Sequence, residues 1–252
     1  MRAYPLYIFD LDGTLFRGEE PTPHAVQTLC ELRNQGATIR FLTNNSSKTI
    51  QFLTDKLQRL GFEAAPEEVM NSAVGTARYL KGKVESAFVI GESGLLEALT
   101  AVGISQNEVN PGAVVVGFDR QFSFDVLAQG MAHLRNQECL FVASNPDRSY
   151  PLENDVLIPG AGSIVAALET CSSRKATVIG KPNPLLIQMI LDDAGVAAQD
   201  CLAVGDRPET DIEAGIAAGC DTHLVLCGVT KEAPVGQNYS ADLSALLEVS
   251  AT

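Results

Sequence analysis

The sequence predicts an α/β protein built mainly on a doubly wound parallel sheet with helices on both faces. Three observations indicate this fold class. Short apolar runs alternate with amphipathic stretches of helix length from the N-terminus onward. Glycine and proline, which favour turns, separate these segments. Acidic, hydroxyl and amide residues follow several apolar runs, at the strand ends where parallel sheets bind their ligands.

The first apolar run, residues 7–9, is predicted to be a buried strand that carries two acids at its end. Asp10 and Asp12 stand one residue apart before a Gly-Thr turn. Close carboxylates repel each other unless a cation or a shared proton lies between them, and such oxygen ligands suit Mg²⁺. A carboxylate can also attack phosphorus to form an aspartyl phosphate. The alternative is an Asp-x-Asp-Gly turn that only caps backbone N–H groups.

Strands and helices are predicted to alternate along the rest of the chain. The further strands are predicted at residues 38–45, 87–91, 113–118, 139–144, 176–180, 201–205 and 222–226. The helices are predicted at residues 23–36, 48–61, 95–101, 124–134, 160–168, 184–194 and 242–248. Thr22 is expected to cap the first helix, and Ser46 with Ser47 the second.

The composition argues against several kinds of partner. The 252 residues are 46% hydrophobic and 19% charged, which allows one large domain or two modest ones. A net charge of -13 repels nucleic acid and anionic membranes, so neither is expected as a partner. The 6 cysteines are scattered without a Cys-x-x-Cys pair, and no charged-then-apolar leader begins the chain. These features predict a reduced cytoplasmic protein.

Four predicted strand ends carry residue types that phosphoryl transfer uses. They are Asp10 with Asp12, Thr43, Lys181, and Asp206 with Asp211. In one parallel sheet these ends would lie on the same side and could supply a nucleophile, a cation, phosphate donors and an acid. Each residue taken alone has a simpler interpretation, as a surface lysine, a strand-end hydroxyl or a helix-terminal acid. Their order at successive strand ends favours a single site.

This set of residues resembles the haloacid dehalogenase-like (HAD) phosphatases at residues 10–14, Thr43, 180–182 and 205–211. Residues 42–47 and 144–147 are similar to the subgroup that contains NagD, p-nitrophenyl, phosphoglycolate and pyridoxal phosphatases. The resemblance covers nearly the whole chain. It implies a Rossmann-like HAD core at residues 1–72 and 172–252, with an inserted smaller α/β cap domain at residues 73–171.

The resemblance also implies catalytic roles. Asp10 would be the nucleophile, and Asp12 would protonate the leaving group and later deprotonate water. Thr43 and the backbone N–H of Asn44 would hold phosphate oxygens, while Lys181 would balance the charge of Asp10 and the phosphoryl group.

Metal and substrate residues follow from the same resemblance. Mg²⁺ would be held by Asp10, the carbonyl of Asp12 and Asp206, while Asp211 would orient metal-bound water without binding the ion. The further substrate-binding candidates are Asn45, Asn145 and Asp147, the last two in a cap turn expected to face the site. Ser144 and Pro208 depart from the usual family residues, which leaves the substrate class open.

The resemblance implies a Mg²⁺-dependent phosphatase that hydrolyses small phosphomonoesters through an aspartyl-phosphate intermediate. Nucleoside monophosphates, sugar phosphates, phosphoglycolate and pyridoxal phosphate all remain candidate substrates. A homodimer is a further expectation, because cap-mediated dimers occur in related enzymes. One alternative is a phospho-accepting regulatory protein without rapid turnover, although receiver domains are about half as long and have no need of an acid such as Asp12. Another alternative is a phosphomutase.

Overall fold

A computed structural model of the chain describes residues 2–151 and 157–247. It contains two compact units. The core unit comprises Met1–Thr43, Gln51–Met70 and Lys181–Thr252, and the inserted unit comprises Asn44–Ile50 and Asn71–Gly180. The predicted boundaries place residues 44–50, 71–72 and 172–180 in the core, whereas the compact units group all three segments with the insertion.

Strands and helices alternate through both units. The strands are β1 (Leu6–Asp10), β2 (Phe16–Arg17), β3 (Glu20–Pro21), β4 (Thr38–Thr43), β5 (Val69–Asn71), β6 (Ser86–Ile90), β7 (Ser105–Gln106), β8 (Ala113–Val116), β9 (Leu140–Ala143), β10 (Ser149–Pro151), β11 (Leu157–Pro159), β12 (Thr177–Val178), β13 (Cys201–Gly205), β14 (Asp221–Val225) and β15 (Tyr239–Ser240). The α-helices are α1 (Ala25–Asn34), α2 (Ile50–Arg59), α3 (Ser72–Leu80), α4 (Ser93–Ala101), α5 (Phe124–Leu134), α6 (Ala161–Ser172), α7 (Leu185–Ala194) and α8 (Glu213–Ala218). The predicted last helix is a 3₁₀ turn, Leu243–Leu247.

The core unit contains a six-stranded sheet in the order β15-β14-β13-β1-β4-β5. β1 pairs in parallel with β13 on one side and with β4 on the other. The chain passes from β1 through α1 to β4, and it reaches β13 only after the inserted unit and α7. This reversal of direction confirms the doubly wound class and creates a switch point at the carboxyl end of β1, where Asp10 lies.

β1 is apolar along most of its length because it occupies the middle of this sheet. Leu6 and Phe9 are 0% exposed, and Ile8 is 2% exposed. A central parallel strand has both faces covered, so it reads as a continuous apolar run rather than an alternating one. The burial of β1 fixes the position at which Asp10 leaves the sheet.

The two predicted helix caps are wrong, because their hydroxyl groups have other partners. α1 begins at Ala25, and the Thr22 hydroxyl donates to the carbonyl oxygens of Thr14 at 2.6 Å and Leu15 at 3.2 Å. Thr22 therefore secures the turn after β1 instead of starting a helix. α2 begins at Ile50, and both the N–H and the hydroxyl of Ser47 donate to Asn45 Oδ1, at 3.0 and 2.8 Å.

The inserted unit is a separate α/β layer structure. Its five-stranded sheet has the order β12-β9-β8-β6-β7, all in parallel pairs, and β10 pairs with β11 in a second, antiparallel sheet. Apolar side chains of this sheet, among them Phe88, Val114 and Phe141, form one buried cluster with Leu134 of α5 and Leu168 of α6. The α/β insertion predicted by resemblance is confirmed.

The strand predicted before Lys181 does not belong to the core sheet. Only Thr177 and Val178 of that run are extended, and they pair with Val142 and Ala143 of β9 in the inserted unit. The expectation that four strand ends of one sheet carry the site is therefore wrong for Lys181. That residue is the first of the returning core segment and precedes α7.

Within residues 2–151 and 157–247, no helix combines the length and apolar character needed to cross a bilayer.

Candidate active site

Three acids of the core unit converge near the carboxyl end of β1. Asp10 ends β1, Asp206 directly follows β13, and Asp211 lies in a π-helical turn, Pro208–Ile212. Each offers a carboxylate oxygen, and these oxygens all lie within 4.8 Å of one another. Chain segments far apart in sequence thus deliver three negative charges to one place.

Lys181 lies between two of these acids. Its Nζ is 2.5 Å from Asp10 Oδ1 and 2.6 Å from Asp211 Oδ1, and the residue is only 3% exposed. Burial alone would lower the pKa of the Lys181 ammonium, but the charges of Asp10 and Asp211 and their hydrogen bonds outweigh burial and raise it. Lys181 is therefore cationic at neutral pH and partly balances the cluster.

The cluster contains three carboxyl groups and one lysine. Burial raises the pKa of Asp10 well above its ordinary value against the opposing charge of Lys181, and the charges of Asp211 and Asp206 raise it further. Burial, followed by the charge of Asp211, raises the pKa of Asp206 to about 6. When all three acids are ionised, the cluster has an excess of two negative charges over Lys181, which favours a divalent cation.

Asp211 is held by the backbone of the adjacent turn. Its Oδ2 accepts the N–H groups of Asp206 at 3.2 Å and Arg207 at 3.0 Å, while its Oδ1 accepts from Lys181. Both oxygens thus have protein donors. This arrangement makes Asp211 suited to fixing Lys181 and the start of the turn.

Asp206 fits closely between two glycines. A Cβ atom on Gly13, whose φ is +95°, or on Gly228 would overlap the Asp206 carboxyl group. The backbone N–H of Val229 donates to Asp206 Oδ2 at 2.5 Å. The Gly228 carbonyl accepts from Arg17 and, at 2.7 Å, from Lys231 Nζ. The loop that contains Gly228 and Val229 was not predicted from the sequence. It acts through the backbone N–H of Val229 and through the lack of a side chain at Gly228, and neither has a sequence motif.

Asp12 stands apart from the buried cluster. Its side chain is exposed, yet the surrounding protein removes enough water to raise its pKa, against the opposing charges of Lys56, Lys181 and Arg207. A carboxyl group with a raised pKa holds a proton more readily at neutral pH, as a general acid must. Lys56 lies in no motif, and Arg207 lies within the resembling segment 205–211 but was given no role, so the sequence predicted neither charge near Asp12.

Thr43 lies at the end of β4, one residue beyond the position that pairs with Asp10 of β1. In the register of the two strands Asp10 pairs with Leu42, so Thr43 is the following residue, and it is 3% exposed. The structure thus places Thr43 at the same sheet edge as Asp10, as expected. Asn44, the next residue, begins a segment of the inserted unit.

The remaining predicted site residues form a network inside the inserted unit. Asn44 Nδ2 donates to Asp147 Oδ1 at 3.0 Å, and Asn145 Nδ2 donates to the Asn44 carbonyl oxygen at 2.8 Å. Asn45 Nδ2 donates to the Tyr150 hydroxyl at 3.4 Å. The turn at residues 145–147 is thereby joined to the segment that follows Thr43.

Sequence comparisons identify the family of this chain. A model described as haloacid dehalogenase-like hydrolase matches residues 7–105, and one described as HAD-hydrolase-like matches residues 178–246. Glycerol-3-phosphate phosphatase of Homo sapiens is 36% identical over 265 residues, covering 93% of this chain and 83% of the relative. The chain belongs to the haloacid dehalogenase-like hydrolases. A 5′-nucleotidase of Bacillus subtilis is also 36% identical, over 233 residues that cover 92% of this HAD chain and 90% of that relative.

Solved structures agree with this assignment. A 4-nitrophenylphosphatase from Thermotoga maritima has a TM-score of 0.89 at 31% identity. The match covers 97% of this HAD chain and 96% of the Thermotoga chain. A glycerol phosphate phosphatase from Mycobacterium tuberculosis, solved in complex with magnesium, has a TM-score of 0.89 at 34% identity. The match covers 99% of this chain and 80% of the Mycobacterium chain. The resemblance to the NagD and p-nitrophenyl phosphatase subgroup is confirmed.

Proposed function

We propose that this HAD chain hydrolyses small phosphomonoesters with Mg²⁺ through an aspartyl phosphate on Asp10. The main support is the arrangement at the end of β1. Lys181 holds one oxygen of Asp10, and Asp12, with a raised pKa, stands two residues further along the chain. A nucleophile with a fixed orientation and a nearby proton donor are the two groups that this reaction requires.

In the first half-reaction, a carboxylate oxygen of Asp10 forms a bond to phosphorus while the bond from phosphorus to the ester oxygen breaks. Asp12 gives its proton to that departing oxygen. In the second half-reaction, Asp12 takes a proton from water, and the water oxygen attacks phosphorus. The bond between phosphorus and Asp10 then breaks, which releases phosphate and restores both acids. Lys181 and Thr43 would bind phosphoryl oxygens during both halves.

The donor set of the site fits Mg²⁺. Asp10 and Asp206 supply hard oxygen donors, and the Asp12 carbonyl is the third proposed protein ligand. Asp211 would act on metal-bound water and not as a ligand; the protein donors on both of its oxygens support its exclusion from the ligand set. When bound, Mg²⁺ would offset the negative charge of the acids and of the phosphate.

The substrate class is proposed from the relatives. Their names point to glycerol phosphate and nucleotides, so we propose nucleoside monophosphates and small sugar or polyol phosphates first. Phosphoglycolate and pyridoxal phosphate remain to be tested.

Residues 73–171 would form the cap that shapes the leaving-group pocket, with residues 1–72 and 172–252 as the core. A cytoplasmic location is supported by 6 free cysteines, and a cap-mediated homodimer is a further proposal.

Phosphate release from p-nitrophenyl phosphate and a panel of nucleotide, sugar, polyol and two-carbon phosphates tests this function. We expect EDTA to lower release about 100-fold or more and added Mg²⁺ to restore it. Stable phosphorylation of Asp10 without release would instead identify a phospho-accepting regulator. Isomerised sugar phosphate without release would identify a mutase.

Gly228→Ala tests the proposed ion site separately from turnover. The added methyl group overlaps the Asp206 carboxyl group, so it must move this proposed ligand, and we expect Mg²⁺ affinity to fall about 10-fold or more. The measurement is the rise of the thermal midpoint with Mg²⁺ concentration. Val229→Ala is the matched control, because it keeps the N–H that binds Asp206 and alters a side chain that is 57% exposed. Equal Mg²⁺ responses of the two variants would contradict the site.

A further inference from the structure

The backbone carbonyl of Asn44 accepts two hydrogen bonds from side chains of the inserted unit. Ser72 Oγ donates to it at 2.6 Å, and Asn145 Nδ2 donates to it at 2.8 Å. Ser72 is 0% exposed and Asn145 is 3% exposed. Two buried donors on one carbonyl outside regular secondary structure fix the direction of that peptide group, because releasing either would leave a buried polar atom without its partner.

Asn145 has no hydrogen of its amide group left to donate elsewhere. One N–H of its Nδ2 goes to the Asn44 carbonyl, and the other is directed to Ser144 Oγ at 3.3 Å. Its Oδ1 accepts the backbone N–H of Asp147 at 3.2 Å. A side-chain amide has two donor hydrogens, so these contacts use its whole donor capacity. Asn145 is therefore built to hold other protein groups rather than to donate to a ligand.

The side chain of Asn44 is fixed as well. Its Nδ2 donates to Asp147 Oδ1 at 3.0 Å, and Asp147 is itself oriented through its N–H by Asn145. A Cβ atom on Gly180 would come within 2.5 Å of Asn44 Oδ1, which shows how little space surrounds the amide. Backbone and side chain of Asn44 are thus both constrained within the inserted unit.

A fixed Asn44 constrains the turn that follows Thr43. Thr43 ends β4, so the strand holds the peptide group that carries the Asn44 N–H. The Asn44 carbonyl shares a planar trans peptide with the N–H of Asn45, and the two point in opposite directions. Anchoring this carbonyl therefore also directs the Asn45 N–H away from Ser72 and Asn145.

We propose that Ser72 and Asn145 are positioning residues that orient the peptide group between Asn44 and Asn45, and with it the Asn45 N–H, for phosphate binding. This inference rests on the proposed phosphatase function. It changes the expectation for Asn145 from a substrate contact to a group that acts through Asn44, and it adds Ser72, which carries no family motif. Loss of one donor weakens the hold on the carbonyl and loss of both lets it rotate, so that the Asn45 N–H spends less time directed at phosphate.

The test uses Ser72→Ala, Asn145→Ala and the double variant of the full chain. Inorganic phosphate, a product of the proposed reaction, serves as a probe of ground-state binding through its inhibition constant. We expect Ser72→Ala to raise that constant and the KM for p-nitrophenyl phosphate about 5-fold each, with a smaller change in kcat. The double variant should lose more than the product of the single losses, because one remaining donor still orients the carbonyl.

Thr76→Val is the matched control. Its hydroxyl is buried in the same helix and gives its hydrogen to the Ser72 carbonyl at 2.7 Å, not to the Asn44 carbonyl. We expect Thr76→Val to lower the thermal midpoint about as much as Ser72→Ala, yet to leave KM and the phosphate inhibition constant unchanged. Equal phosphate inhibition constants for wild type and Ser72→Ala would overturn the positioning role. The absence of phosphate release by the wild type would instead contradict the proposed function itself.

Discussion

Asp10→Asn is expected to lower kcat about 10⁴-fold or more, the largest loss that any single substitution in this chain should cause. The amide has nearly the same shape as the carboxylate, but it cannot form the aspartyl phosphate on which the proposed reaction depends. The measurement is phosphate release at saturating p-nitrophenyl phosphate and Mg²⁺. Asp192→Asn, an exposed acid-to-amide change in α7, serves as the control and should retain full activity.

The stability of Asp10→Asn separates chemistry from folding. Burial and the charges of Asp211 and Asp206 raise the pKa of Asp10, so its ionised form is disfavoured in the folded chain. Removing this charge leaves Lys181 paired with Asp211 at 2.6 Å. We therefore expect a thermal midpoint equal to or above that of the wild type. Activity within about 100-fold of wild type in a folded variant would rule out Asp10 as the nucleophile.

Much of the core and its acids could be predicted, because their signals are local. β1 is a continuous apolar run that ends in Asp10, and residues 201–205 form a similar run before Asp206. The helix Phe124–Leu134 has its predicted bounds, since Ser123 caps its first turn by accepting the Val126 N–H at 3.3 Å. In each case neighbouring residues alone determine the element.

Other features depend on partners far away in the chain, and the sequence could not predict them. The apolar run before Lys181 indicates an extended segment, but nothing in it selects β9 over the core sheet as its neighbour. Thr22 has the sequence context of a helix cap, yet the turn at Thr14 and Leu15 takes its hydroxyl. Ser72 contacts a carbonyl 28 residues earlier, a separation with no periodic signal.

Lys181→Met should destabilise the fold by about 3–5 kcal/mol, because it leaves buried acids without their cation. Lys181 is 3% exposed and contacts both Asp10 and Asp211, so water cannot replace it without rearranging the cluster. The measurement is the free energy of unfolding in urea, without metal, at neutral pH. Lys175→Met is the control: its Nζ lies 2.6 Å from Glu169, but the lysine side chain is 88% exposed, so this change should cost about 0–1 kcal/mol.

Combining Lys181→Met with Asp10→Asn tests the cause of that loss. If uncompensated negative charge destabilises the single variant, removing the Asp10 charge should recover part of the lost stability, with a coupling of about 1–3 kcal/mol between the two sites. If the loss comes only from packing of the lysine side chain, the change in unfolding free energy of the double variant should equal the sum of the two single changes. Addition within about 0.5 kcal/mol would therefore contradict the electrostatic account. Activity would remain absent in the double variant, because recovering stability does not restore the nucleophile.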